Sequence, residues 1–233
     1  MVPHTLTETP LFGLAATLAA YAIALALHRR HRSLHPLLVT CTLLAGLLLG
    51  LRIPLPDYRI GADILTLLLG PATVALAVPL YKHASAIRRS AAAIGASLAA
   101  GCATGILSAL ACALALHASR TVTLSVLPKS ATTPISTEIA RLLGGSPEIA
   151  ATVTVLAGLT GALLAPTLLR ACGIRSSFST GLALGVSSHG IGTASALSRS
   201  ELEGTYSGLA MALNGILTAA ILSPLAPVIQ RLL

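Results

Sequence analysis

The sequence predicts an all-α polytopic membrane protein of about seven to eight transmembrane segments, with inverted halves and broken or re-entrant helices. Three observations carry this. Of the 233 residues, 55% are hydrophobic and 9% charged, where a soluble domain has about 25% charged. The apolar residues collect in long runs joined by short basic links. Glycine, proline, hydroxyls and a histidine interrupt the apolar pattern at 70–79, 128–134 and 188–194.

Apolar runs fall at 10–27, 36–51, 61–81, 91–117, 147–169, 178–198 and 204–229. A spanning helix needs about 20 residues. Residues 1–9 hold no Lys or Arg, so the first run reads as a retained helix, not a cleavable signal. The run at 36–51 is short and extends towards Ile53. The run at 61–81 contains Gly70-Pro71 and Pro79, which remove helical N–H groups and open carbonyls. The run at 91–117 is long enough to tilt. Region 121–146 reads as a re-entrant or broken element. Thr121 to Leu127 is too short to span, Pro128 and Pro134 flank a polar link, and Ile135 opens an amphipathic turn with Glu138 and Arg141.

The basic links set the orientation. Arg29, Arg30 and Arg32 lie in one, and Lys82, Arg88 and Arg89 in another. Both are expected on the cytoplasmic side. If 121–146 does not cross, Arg170 and Arg175 fall inside, Glu201 and Glu203 outside, and Arg231 inside. If it crosses, those last links invert. The formal charge of +8 is explained by such anchoring, and without aromatic interleaving it does not indicate nucleic-acid binding. Aromatic residues make up 3% and tryptophan is absent, so interfacial belts are thin. Cys41, Cys102, Cys112 and Cys172 form no C-x-x-C pair, and packing suits them better than disulfide or metal chemistry.

The chain reads as a single membrane domain over 1–233 with a weak internal repeat, 36–117 against 147–231. Leu67-Leu68-Leu69-Gly70 parallels Leu182-Ala183-Leu184-Gly185, and Gly105-Ile106-Leu107-Ser108-Ala109 parallels Gly215-Ile216-Leu217-Thr218-Ala219. Paired interrupted helices in two halves point to a transporter's midplane site. The alternative is chance likeness among Leu/Ala/Gly-rich helices.

Three elements hold the candidate chemistry. In the first, Gly70-Pro71-Ala72-Thr73 frees backbone and presents Thr73, as a substrate wall or as a structural kink. In the second, Lys129 lies among Ser130, Thr132 and Thr133. An ammonium beside hydroxyls suits a carboxylate, and a helix opening at Pro134 offers N–H groups to an anion. The bland alternative is a solvated loop with a snorkelling lysine. The third is Ser188-His189-Gly190-Ile191-Gly192-Thr193-Ala194. Lipid offers no hydrogen bonds, so backbone loosened there lines a cavity or is buried in protein. His189, with an ordinary pKa of about 6.5, is placed to exchange a proton or bind solute. It could also simply bond a neighbouring carbonyl. Gly190 and Gly192 let backbone approach a solute, and Thr193 adds a hydroxyl. Asn214 bonds across helices or touches solute. Gly46/Gly50, Gly101/Gly105 and Gly204/Gly208 have small-xxx-small spacing, which suits packing better than a specific dimer motif. No triad, phosphate loop, metal cluster or cofactor motif stands out, so the chain does not read as an enzyme.

These residues also carry a resemblance. Gly61-Ala62-Asp63-Ile64, the stretch from Gly70-Pro71 to Pro79-Leu80-Tyr81-Lys82, Leu127-Pro128-Lys129-Ser130-Ala131-Thr132-Thr133-Pro134-Ile135, Gly144-Gly145 and His189-Gly190-Ile191-Gly192-Thr193-Ala194 resemble the LrgB family. They are also similar to its CidB branch and to the carboxyl-terminal part of the plastidial glycolate/glycerate translocator. The resemblance covers nearly the whole chain. It implies a multi-pass protein of the bacterial inner membrane, often paired with a small LrgA-like membrane protein. Some relatives imply transport of small monocarboxylates such as glycolate, glycerate or pyruvate. Others carry the label antiholin-like and imply control of murein hydrolase activity and lysis. The residue reading favours a carrier of a small carboxylate, with proton coupling through His189. Its broken elements would form a moving, elevator-like unit beside a scaffold that dimerises.

Overall fold

A computed structural model describes residues 9–31, 34, 36–75 and 77–232, and the side chains of all of these except 69, 72 and 73. Every regular element among the described residues is a helix. The chain forms two compact units, Met1–Ala77 and Val78–Leu233.

In the first unit α1 (Pro10–Arg30) packs on α2 (Pro36–Gly50) and α3 (Leu55–Leu67), and α4 (Leu69–Ala75) follows α3. Pro10 opens α1, where its missing N–H is no loss. Gly13 and Gly61 bring α1 and α3 into backbone contact: a Cβ on Gly61 would stand 2.7 Å from Leu14 N. Beside that contact Thr17 Oγ1 donates to Gly13 O at 2.7 Å and pairs with Tyr58 Oη at 2.8 Å.

The second unit begins in α5 (Ala77–Lys82) and continues through α6 (Ala84–Arg89), α7 (Ala91–Ala115), α8 (Arg120–Val126), α9 (Thr133–Leu143), α10 (Pro147–Ala171), α11 (Ser177–Leu197) and α12 (Glu201–Leu232). Three helices open on serine caps: Ser119, Ser146 and Ser176 accept from Val122 N, Ile149 N and Ser179 N.

Two re-entrant hairpins organise this unit. The first is α8–α9, reversed at Leu127 to Thr132, where Pro128 ends one helix and Pro134 lies in the first turn of the next. Its far end closes when Gly144, at φ 86°, caps α9 in the left-handed region, and Ser146 N donates to Ser125 Oγ at 2.7 Å. The second hairpin is α11 itself. At His189 the backbone takes φ 39° and ψ −129°, a conformation normally left to glycine at a reversing turn. A Cβ on Gly192 would stand 2.5 Å from Leu184 O, yet eight residues of continuous helix would separate the two by about 12 Å. Residues 190–197 therefore fold back along 177–188.

The faces follow from side-chain contacts. Lys82 Nζ and Glu201 Oε1 lie 3.2 Å apart, so the α5–α6 link and the start of α12 share a face. At the other end Arg120 donates to Gln230 O at 2.7 Å and Gln230 Nε2 donates to Leu142 O at 3.0 Å. The helices α7 and α12 run parallel between these faces. Ile94 and Leu98 pack with Leu182, Tyr206 and Ala210 towards the Lys82 face. Ile106 and Leu110 pack with Leu124, Leu127, Leu143, Leu222 and Ala226 towards the Arg120 face. One hairpin enters from each face, and each has its own apolar cluster.

Several expectations are corrected here. Among the described residues four helices are long and apolar enough to cross a membrane: α1, α7, α10 and α12. The run at 178–198 does not cross, because it reverses at His189. The run at 61–81 divides among α3, α4 and α5. The run at 36–51 gives a 15-residue helix, about 22 Å long against a core of about 30 Å. Region 121–146 re-enters, as one of the two expected arrangements has it. Because α11 also re-enters, Glu201 lies on the Lys82 face and Arg231 on the opposite one, the reverse of the assignment made for a non-crossing 121–146.

This arrangement is checked by single-cysteine labelling in a variant whose four native cysteines are replaced. Ser85→Cys and Ser198→Cys should react with an impermeant thiol reagent from one side of the membrane, and His117→Cys and Arg231→Cys from the other. Labelling of Ser198→Cys together with His117→Cys would contradict a re-entrant α11.

Candidate functional site

The two hairpin tips meet on α12. Asn214 is fully buried, and its Nδ2 donates to Ser130 O at 2.9 Å on the first tip and to Val186 O at 3.4 Å on the second. One amide therefore bridges two chain reversals. Its Oδ1 is buried with no hydrogen-bond partner among the described residues. Thr218 Oγ1 donates to Asn214 O at 2.7 Å, satisfying the same turn of α12.

A second tie runs to α10. Thr154 Oγ1 donates to Ser136 Oγ at 2.8 Å, near the first tip. His189 Nε2 lies 2.9 Å from Thr154 O. A carbonyl only accepts, so Nε2 carries the proton. His189 is 4% exposed, and its ring sits where a side chain on Gly158 would collide with it. Thr193 Oγ1 donates to His189 O at 2.9 Å and lies 3.0 Å from Ser207 Oγ. These bonds hold His189 in its strained backbone conformation, which costs on the order of 1–3 kcal/mol.

Beside the tips lies a cavity of about 500 Å³, walled by α7 and by residues 178–187 of α11, with Lys129 and Ser130 also in its lining. The helix α7 approaches closely because two of its residues are glycine. A Cβ would stand 2.6 Å from Val186 Cγ1 at Gly101 and 2.7 Å from Ser130 Oγ at Gly105. The lining holds the hydroxyls of Ser97, Thr104, Ser130, Ser179 and Ser187, apolar Leu182 and Val186, and no carboxylate. Lys129 is half-buried, with no ion-pair or hydrogen-bond partner for its ammonium among the described residues. An ammonium in a largely apolar wall that also carries hydroxyls can hold a small anion, and an unpaired buried anion would otherwise cost several kcal/mol.

Of the residues singled out in the sequence, Lys129 and Ser130 come together in this cavity. Thr132 stands just before α9 without a capping bond from its side chain and Thr133 begins the helix, and neither lines the cavity. His189, Gly192, Thr193 and Asn214 are buried and do not line it, and Gly190 is exposed at the second tip. The Thr73 side chain lies outside the described residues. Sequence reasoning missed Ser97 and Thr104. Their signal is a stripe of small and hydroxyl residues with Gly101 and Gly105 at helical spacing on α7, a pattern that helix packing also explains. Thr154 gave no signal, since its main contribution is a backbone carbonyl.

The LrgB-like family profile matches residues 17–228. "Uncharacterized protein YwbG" of Bacillus subtilis (strain 168) is 38% identical over 183 residues, 78% of this chain and 81% of that protein. "Uncharacterized protein YxaC" of the same organism is 38% identical over 203 residues, 86% of this chain and 88% of that protein. "Antiholin-like protein LrgB", again of Bacillus subtilis, is 30% identical over 220 residues, 93% of this chain and 95% of that protein. No solved structure matches the chain. With its apolar spans, its paired re-entrant hairpins and a family match over nearly its whole length, this multi-pass membrane protein belongs to the LrgB-like family.

Proposed function

We propose that the protein is a carrier of small monocarboxylates of the glycolate, glycerate or pyruvate class in the bacterial inner membrane, and catalyses no chemical step. The observation that supports this best is Lys129. Lys129 is half-buried, its ammonium is unpartnered among the described residues, and it lines a cavity that carries five hydroxyls and no carboxylate. A small carboxylate would take the ammonium, while Ser130, Ser97 and Thr104 fill its remaining acceptor sites. Hairpins entering from opposite faces and meeting near mid-depth suit alternating access. In this reading the hairpins with α10 and α12 form the moving part of an elevator-like dimer.

The second reading rests on a name. The relative "Antiholin-like protein LrgB" favours a regulator or pore component that acts with an LrgA-like partner on murein hydrolase activity and lysis. The family match speaks to this reading more directly than to any particular solute. Proteoliposomes containing the protein alone separate the two. Saturable, competable uptake of labelled glycolate or pyruvate supports the carrier. Non-saturable leakage of unrelated solutes, or lysis control that requires an LrgA-like protein, supports the second.

Two substitutions follow from the geometry. Lys129→Ala should lower saturable uptake about 100-fold or more, the scale of removing one partner of a buried charge pair, while the protein stays folded in the membrane. Wild-type uptake by that variant would remove Lys129 from the pathway. Proton coupling through His189 is tested by His189→Gln, which still offers an N–H to Thr154 but does not titrate. Loss of pH-driven accumulation with exchange retained supports His189 as the proton carrier. Unchanged accumulation would leave it only the tie to α10.

A further inference from the structure

We infer that Asn214 Oδ1, at the meeting point of the two hairpin tips, is a ligand for a monovalent alkali cation, for which sodium is the first probe. Asn214 is 0% exposed, and this oxygen has no hydrogen-bond partner among the described residues. Turning the amide over would not help, because the position now held by Nδ2 faces two carbonyl oxygens, of Ser130 and Val186. The orientation is therefore fixed, and Oδ1 is the group left over. Buried acceptors without a donor are rare and call for an ion or a water.

The surroundings favour a cation. Ser130 O and Val186 O set two carbonyl dipoles against the same amide that carries Oδ1. Val186 stands in the last turn before the helix breaks at His189, where the helix dipole presents its negative end. Broken helices inside membranes place carbonyls of this kind around coupling ions. The oxygens here are neutral amides and carbonyls. That suits a single charge in a low-dielectric site better than a divalent ion, whose desolvation is far larger.

The position also suggests a coupling, and this part rests on the carrier reading. Ser130 faces both sites: its carbonyl accepts from Asn214, and the residue lines the cavity beside Lys129. With the cavity unloaded, the ammonium of Lys129 opposes a second cation nearby. A carboxylate on Lys129 removes that opposition. Cation and solute should then each tighten the other, by the same factor.

The test uses the full-length protein purified without any carboxylate solute. Thermal unfolding is followed in sodium, potassium and choline chloride at equal ionic strength. Sodium about 100-fold above its dissociation constant should raise the midpoint by about 5–10 °C over choline. Asn214→Leu, close in size but without Oδ1, should abolish the difference. Equal midpoints in all three salts would overturn the inference and assign Oδ1 to water. A sodium shift that survives unchanged in Asn214→Leu would also overturn it. If that variant does not fold, the three-salt series on the native protein decides. Because no solute is present, failure of monocarboxylate uptake would leave this result standing. Uptake that proceeds equally in all three salts would sink the coupling and leave the carrier reading intact.

Discussion

The architecture of the second unit turns on the rule that backbone groups inside a bilayer must find partners within the protein. A hairpin that enters and returns leaves loose carbonyls and N–H groups at its tip, where no water waits to take them. Here a single side-chain amide accepts that duty for both tips. Asn214 reaches Ser130 on one side and Val186 on the other. The helix α10 repeats the device with Thr154, whose hydroxyl meets Ser136 and whose carbonyl meets His189. Each long helix thus ties both hairpins, and neither hairpin has its polar groups satisfied by its own residues alone.

Close approach is the second half of the same constraint. Bonds of this kind need backbones near one another, and lipid gives no hydrophobic reward for bringing them there. The α11–α12 contact, the most extensive in the unit, is made through small residues. A side chain on Gly185 would meet Ala210 Cβ at 2.7 Å. The glycines of α7 do similar work opposite the tips, and in doing so leave the space that becomes the cavity. Packing and site are here one feature: the residues that admit the tips also shape the wall beside Lys129.

Much of this was legible in the sequence, and the reasons differ by element. The interruptions at Pro128 and His189 stood out because proline, glycine and charge are costly in lipid, and both are sites of chain reversal. What could not be read was the sign of the interruption at His189. A glycine-flanked break in a run of twenty or so apolar residues is compatible with a kinked span or with a hairpin. Only the positive φ of a non-glycine residue decides between them, and composition does not encode it. The faces of Glu201 and Arg231 went wrong for that one reason. Lys129 and Ser130 were found because a lone cation among hydroxyls has a chemical meaning by itself. Asn214 and His189 were found as polar residues in apolar runs, but sequence does not say whether such a residue faces a solute or a neighbouring carbonyl.

The tie between Ser130 and Asn214 spans 84 positions of chain, and this has a bearing on how the protein is made. The first hairpin leaves the ribosome well before the helix that must receive it. Until α12 arrives, the tip at Pro128 to Thr132 has no lasting partner for its backbone at membrane depth. Ser130 O therefore lacks its Asn214 donor while α10 and α11 are synthesised. The helix α12, made after both hairpins, is then the one that joins their tips. Nascent chains that end before Asn214 should be the ones that quality-control proteases recognise, because in them two polar tips have been built and the amide that joins them is missing.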